Sequence, residues 1–415
     1  MNSPRPVIAL LFTTFPKTSE TFLQRDVAAL RHKGVALRLY SLWGGGGKFE
    51  GLTVRTFPKW KLAPLFLFTI PWNCLRRPRI VRDLFEGVIR RAPPSWLNFW
   101  ENMLGAGFAG CFYREFRKNP PALVHGAWAG APATAGWLLW RILDLPYSTG
   151  AHAYDLYEHG GDWWLLEKIQ HARFVQTSTE AGRKFLIERG AGAAKIKVIR
   201  RGLGTFPGLK PLRPGRVPLR LICIARLVEK KGFSQQLAIY AALRDAGFPF
   251  EARIVGDGPQ RPELEARLAQ LGLAGAVQLN GQLPHAEVWA QLAWADVLLH
   301  TGVVAPSGDR DGLPNVIPEA MAAGVLVVTS PVSATTEAVR HEHTGLVAPV
   351  DQPADWLEAL QRLASDDALA ERLRQEARRW VEENYDAHKN TDRLVECFEA
   401  ALAMPKVGSD RDRQK

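Results

Sequence analysis

Cysteine is scarce. The chain has four in 415 residues (Cys74, Cys111, Cys223 and Cys397), with no CxxC pair and no His at ligand spacing. That excludes a disulfide scaffold or a zinc module and fits a reducing compartment. Long apolar runs are missing too: the most apolar stretch, Leu62 to Trp72, has 11 residues and two prolines, whereas a membrane-spanning helix needs about 20. The run Val7 to Phe12 has no small-residue cleavage site after it, so it is expected to be the first strand and not a secretory leader. Acid is in deficit, with 42 Asp and Glu against 53 Lys and Arg, and the formal charge of +11 implies an anionic partner. A content of 47% hydrophobic and 23% charged residues excludes wholesale disorder and fibrous rods, and the length fits two domains.

The charge excess is local. Residues 57–119 hold 11 basic and four acidic residues among many Trp and Phe, and so carry +7 of the total. Basic side chains interleaved with aromatics suit an anionic membrane surface. They also suit nucleic acid, or a solvated basic face over an aromatic core. Around this segment the chain alternates strand and helix. Phe22, Leu23, Val27 and Leu30 recur at helical spacing before Gly34, and Val35 to Leu42 alternates as a strand does. The glycine run WGGGGK is read as a flexible turn, because Phe49 stands where a phosphate loop requires Ser or Thr.

From Ala122 the strands LVHGAW, RFVQTS and KIKVIRRG alternate with the helices PATAGWLLWRIL and TEAGRKFLIERG. A stretch with four glycines and four prolines, GLGTFPGLKPLRPGRVP, then marks a boundary. The second half restarts with LRLICIAR and runs through ARIVG, VQLNG, ADVLLH, VLVVTS and TGLVAP to three carboxyl-terminal helices. These patterns predict two doubly wound α/β domains: 1–204, a linker at 205–218, and 219–385. A final helix over 386–405 is expected to pack back towards the first domain.

Open parallel sheets bind ligands at the carboxyl ends of their strands. There, Arg226 follows a strand, and Lys231 precedes Gly232 and a helix, which suits a phosphate pair. Gly256 and Gly258 make a tight strand-to-helix turn that lets a ligand or backbone approach closely, and the lack of a GxGxxG argues against nicotinamide. Asp311 and Glu319 lie eight positions apart across Gly312, Leu313 and Pro314, with Pro318 in the first turn of a short helix. Free amides near Asn315 and Val316 can face an anion, and a carboxylate at Glu319 can accept bonds from paired ribose hydroxyls.

The ordered text ARLVEKKG, IVGDGP, LNG, DGLPNVIPEAMAAG, TTEAV and HTGLVAP resembles the donor-binding domain of group 1 glycosyltransferases, the retaining family four class of the GT-B fold. The amino half is concordant through FPKTSETFLQRDVAALRHKG, PATAGWLL, AHAYDLY and IRRGLG. The resemblance implies two Rossmann-like domains facing across a cleft. Arg226 and Lys231 would neutralise the diphosphate of a nucleotide-sugar, Glu319 would sit on the ribose and Asp311 near the donor sugar. It also implies that His152 approaches that sugar from the amino domain, the alternative being a His hydrogen-bonded at a strand end. Ser19, Glu20 and Asp155 are then acceptor-side residues. Three departures bear on the donor sugar. Asp311 replaces the usual Glu, Ala334 occupies a glycine place, and IRRGLG lacks the usual closing Asp.

The activity so implied is transfer, with retention, from a UDP- or GDP-sugar to a growing glycan or lipid-linked acceptor in bacterial cell-surface polysaccharide synthesis. It would need no metal or other cofactor, since no DxD-type motif lies in a suitable loop. The expected place of action is the cytoplasm, or the cytoplasmic membrane face. The competing readings are a non-catalytic sugar-nucleotide or glycan-binding subunit and, from charge alone, a nucleic-acid-binding module.

Overall fold

The computed structural model describes residues 5–405 except 18–19, 57, 65–66, 69, 77, 79–81 and 83–91. Ser19 and six charged residues of the basic segment, Arg77, Arg79, Asp83, Glu86, Arg90 and Arg91, therefore lie outside the described residues. The chain divides into two units, Met1–Gly202 with Ala387–Lys415, and Leu203–Asp386.

In the first unit the central strand is β1 (Val7–Phe15), flanked by β2 (Ala36–Gly45) and β5 (Leu123–Gly126). The sheet continues through β4 (Leu52–Thr56) and antiparallel β3 (Gly47–Phe49) on one side, and β6 (Tyr147–Gly150), β7 (Val175–Thr177) and β8 (Ile196–Val198) on the other. Both faces are covered, so β1 reads as a continuous apolar run instead of alternating with polar residues. Ile8, Leu10 and Phe12 pack with Leu23, Val27 and Leu30 of α1 (Thr21–His32). Ala9 and Leu11 face α2 (Trp96–Lys118) and α3 (Ala131–Leu143). Helix α2 starts where Ser95 Oγ accepts from the amide of Asn98 at 3.1 Å, and no element was expected there from sequence. The glycine run ends β2 with positive φ at Gly45, Gly46 and Gly47, and a side chain at Gly45 would strike the Phe15 carbonyl.

The second unit orders its six parallel strands β11-β10-β9-β12-β13-β14. In chain order these are β9 (Leu219–Ile224), β10 (Phe250–Val255), β11 (Val277–Gly281), β12 (Val297–His300), β13 (Leu326–Thr329) and β14 (Leu346–Val347). This is the doubly wound 3-2-1-4-5-6 order, whose switch point falls between β9 and β12. Residues 205–218 are not a free linker. Lys210 Nζ donates to the Ala295 carbonyl at 2.6 Å, Arg213 pairs with Asp296 at 2.6 Å, and buried Arg216 donates to the Leu363 carbonyl at 2.9 Å. Proline and glycine deny this stretch a helix or strand, yet its cations find acceptors on the unit it precedes.

The two ends of this unit meet. Leu203 donates to the Tyr385 carbonyl at 2.8 Å and bridges to Asp386. The last helix, α14 (Ala387–Ala403), belongs to the first unit, where it packs on α1 and buries Leu394, Phe398 and Ala401. Among the described residues no helix is long and apolar enough to cross a membrane.

Candidate active site

The carboxyl ends of β9 and β12 carry a polar constellation in the second unit. After Ile224 the chain forms a loop with Arg226 exposed and Leu227 buried, then a tight turn over Glu229–Lys231, then α7 (Phe233–Asp245). Gly232 has φ +67°, and a Cβ there would lie 1.9 Å from the Thr301 carbonyl oxygen, so only glycine lets this turn close on the end of β12. The two loops are then tied together: Thr301 Oγ1 donates to the Lys231 carbonyl at 3.1 Å, and the Val303 amide donates to the Lys230 carbonyl at 2.9 Å.

Three basic side chains converge on the acids of the next loop. Lys231 Nζ lies 2.5 Å from Asp311 Oδ2, and buried Lys230 pairs with Asp309 at 2.9 Å and stands 3.6 Å from Asp311 Oδ1. His300 Nε2 is 3.6 Å from Asp311, short of a hydrogen bond, while its Nδ1 meets Thr329 Oγ1 at 3.2 Å. Burial alone would raise the Asp311 carboxyl, but the ammonium groups of Lys231 and Lys230 hold it well below the usual carboxylate range. Burial lowers His300 and so favours the neutral ring. Asp311 is thus a fixed anion that anchors lysines and cannot serve as a proton donor near neutral pH.

Around this centre lie the other residues singled out from sequence. Gly256 and Gly258 admit the backbone: a Cβ at either would strike the carbonyl of Ala225 or Leu227, at 1.8 and 2.5 Å. Glu319 is buried in the first turn of α10 (Val316–Ala323), whose N-cap is Asn315. Asn315 Oδ1 accepts from the Tyr385 hydroxyl at 2.5 Å. Gly312, Leu313 and Val316 are half-buried along the same approach, and Leu313 packs on the core. Sequence reasoning missed Lys230, Asp309, His300 and Thr301. The signal was present, since ADVLLH closes on a histidine at the end of a switch-point strand.

In the first unit His152 is buried, edge-on to Trp128, with Nδ1 unpartnered. It lines a cavity of about 30 Å³ with Asp26, His125, Gln176 and Arg201. Burial, with Arg201 and His125 nearby, keeps its ring neutral. Asp155, expected on the acceptor side, points inward: its carboxylate accepts from the amides of Ala129 (3.0 Å), His152 (3.0 Å) and Ala153 (2.9 Å). Its carboxylate is therefore occupied in holding the loop that carries His152. Glu20 occupies the N-cap position of α1 with no capping bond from its side chain, which pairs instead with Lys17 at 2.7 Å.

A doubly wound sheet with cations and a helix entrance at its switch point defines an α/β protein built to hold an anionic ligand. Residues 215–380 match the family model of glycosyl transferases group 1, and residues 19–205 match that of Glycosyltransferase Family 4. The amylovoran biosynthesis glycosyltransferase AmsK of Erwinia amylovora is 33% identical over 284 residues, covering 67% of this chain and 69% of that protein. The putative colanic acid biosynthesis glycosyltransferase WcaL of Escherichia coli is 33% identical over 53% of this chain, which spans about half (54%) of its length. The apo lipopolysaccharide outer core galactosyltransferase WaaB matches 95% of the chain with TM-score 0.68 at 14% identity. Anabaena HepE in complex with UDP-glucose also matches 95%, with TM-score 0.68 at 18% identity. These likenesses show the GT-B fold. The chain belongs to the group 1 glycosyltransferases and is a transferase.

Proposed function

We propose that this enzyme moves a sugar from a UDP- or GDP-sugar to a growing glycan or lipid-linked acceptor in bacterial cell-surface polysaccharide synthesis, with retention at the anomeric carbon. The observation that carries the reading is the Lys231–Asp311 pair at the β9/β12 switch point, with Lys230 and His300 beside it and Arg226 exposed in the loop after β9. Breaking an anomeric C–O bond builds negative charge on the departing diphosphate. Fixed cations and helix-end amides aimed at that charge stabilise the transition state more than the ground state. Arg226, Lys230 and Lys231 supply such charge in this reading, so no metal is required. Glu319 in the first turn of α10 holds the ribose. The acceptor attacks from the face the leaving group vacates, and the phosphate oxygen takes its proton.

The names of AmsK and WcaL support the polysaccharide setting, and HepE's capture of UDP-glucose makes a uridine donor the first to test. The basic, aromatic residues within 57–119 support work at an anionic membrane face. A thermal-shift panel of UDP, GDP, ADP and their sugars on wild type and Lys231→Ala tests the donor site. A nucleotide at about 100 times its dissociation constant adds about 2.7 kcal/mol, a shift of a few degrees. One nucleotide family should stabilise wild type and not the variant. No shift with any nucleotide would overturn the reading. The anomer of the product, read by NMR, decides retention.

A further inference from the structure

A second cavity, of about 290 Å³, lies in the first unit. Thr13, at the carboxyl-terminal end of β1, and Trp43, at that of β2, meet the first turns of α2 there, and the transfer chemistry above does not use it. Its other walls are Leu97, Trp100, Met103 and Leu104, and its polar residues are Thr13 and Glu101, which also borders a smaller cavity next to it. The surrounding surface is unusually apolar: Trp43, Trp96, Leu97 and Trp100 are between about half and three-quarters exposed, an arrangement that marks a binding surface. A cation sits on one of these rings: Lys59 Nζ is 4.4 Å from the centre of the Trp43 ring, and Trp43 lines the cavity.

A sugar or nucleotide would leave most of its hydroxyls unpaired against these walls, at a cost for each. An amphiphile with an apolar chain and an anionic head matches both the walls and the rim. We propose that this cavity seats the hydrocarbon chain of a lipid-phosphate acceptor, with the phosphate on Lys59. The choice of a lipid-linked acceptor deepens the transfer reading and rests on it; binding of the chain does not.

Glu101 then makes the binding proton-linked. Burial pushes its carboxyl up to about 7; Asp162, Asp155 and Glu158 add to this and Lys168 opposes it. Tyr154 and His159 face it across a smaller neighbouring cavity. A chain that displaces water from the carboxyl favours the neutral form further, so affinity falls as pH rises through about 7.

The test is calorimetric binding of farnesyl methyl phosphate and isopentenyl methyl phosphate to the full chain. Each diester keeps one charge across this pH range. Each enclosed carbon is worth about fourfold in affinity, so the farnesyl probe should bind at least about tenfold tighter. Leu97→Glu and Trp100→Ala, both at exposed positions, should weaken it by about tenfold or more and leave the nucleotide thermal shift intact. Glu101→Gln should remove the pH dependence. Equal affinity for the two probes, or unchanged farnesyl binding in both surface variants, overturns the proposal. A missing nucleotide shift with farnesyl binding intact overturns the donor reading and not this one.

Discussion

Lys230 and Lys231 are neighbours in sequence, yet their ammonium groups reach different carboxylates, Asp309 and Asp311. The tight turn of Glu229–Lys231 divides them in this way. Asp311 is the shared counter-charge, and its depressed pKa fixes the sign of a pH effect. Its folded value lies below the unfolded value of about 3.9, so its stabilisation is fully present above that pH and is lost as pH falls towards the folded value. Asp311→Asn should therefore cost about 3 kcal/mol at neutral pH, with the gap to wild type starting to narrow below about pH 4 and still partly open at about pH 3, as read by urea denaturation across pH. An equal gap at both ends of that range would assign the loss to packing. At this scale the sequence was legible where a residue type has one use. Arg226 follows β9, Lys231 precedes α7 and Glu319 lies in the first turn of α10, where the spacing placed them, while Asp311 stands in the loop between β12 and α10. It was opaque where the same residue type has two uses. Asp155 is a carboxylate beside a histidine in either reading, and only the three backbone amides around it show that it clamps a loop.

Strands and helices with a clean period were legible as elements, because a parallel sheet covered on both faces demands short apolar runs separated by amphipathic helices. Helix α2 was not. Its buried residues include Asn102, Gly105 and Gly107 as well as Phe108 and Phe116, so no apolar stripe marks its inner face. Asn102 is buried because it joins a network with Thr134 and Lys168, and Lys168 in turn pairs with Asp162. Gly105 is what lets α2 lie on α3, since a Cβ there would sit 2.3 Å from the Ala131 carbonyl oxygen. Gly105→Val should push the two helices apart and destabilise the chain by about 3 kcal/mol, visible as a lower urea midpoint at unchanged slope. A neutral result would mean that α2 can slide without loss.

Taken whole, the chain returns to its first unit after completing its second. The period of the last helix was legible, and its contacts with α1 follow from an apolar face that includes Leu394, Phe398 and Ala401. Deleting residues 387–405 should uncover that cluster and lower the unfolding temperature of the first unit. Nucleotide-dependent protection of residues 203–386 should survive, with limited proteolysis reporting the two separately. Loss of both together would show that the units unfold as one. The return also places Leu203 beside Tyr385 and Asp386, so the second unit enters and leaves at one point. A segment whose two ends touch is an insertion in the genetic sense. It can be exchanged between relatives by a pair of crossovers that leave the host fold's termini where they were. If the proposed donor site is right, donor choice and acceptor choice become separately heritable traits, and a pathway can acquire a new sugar without relearning what it adds the sugar to.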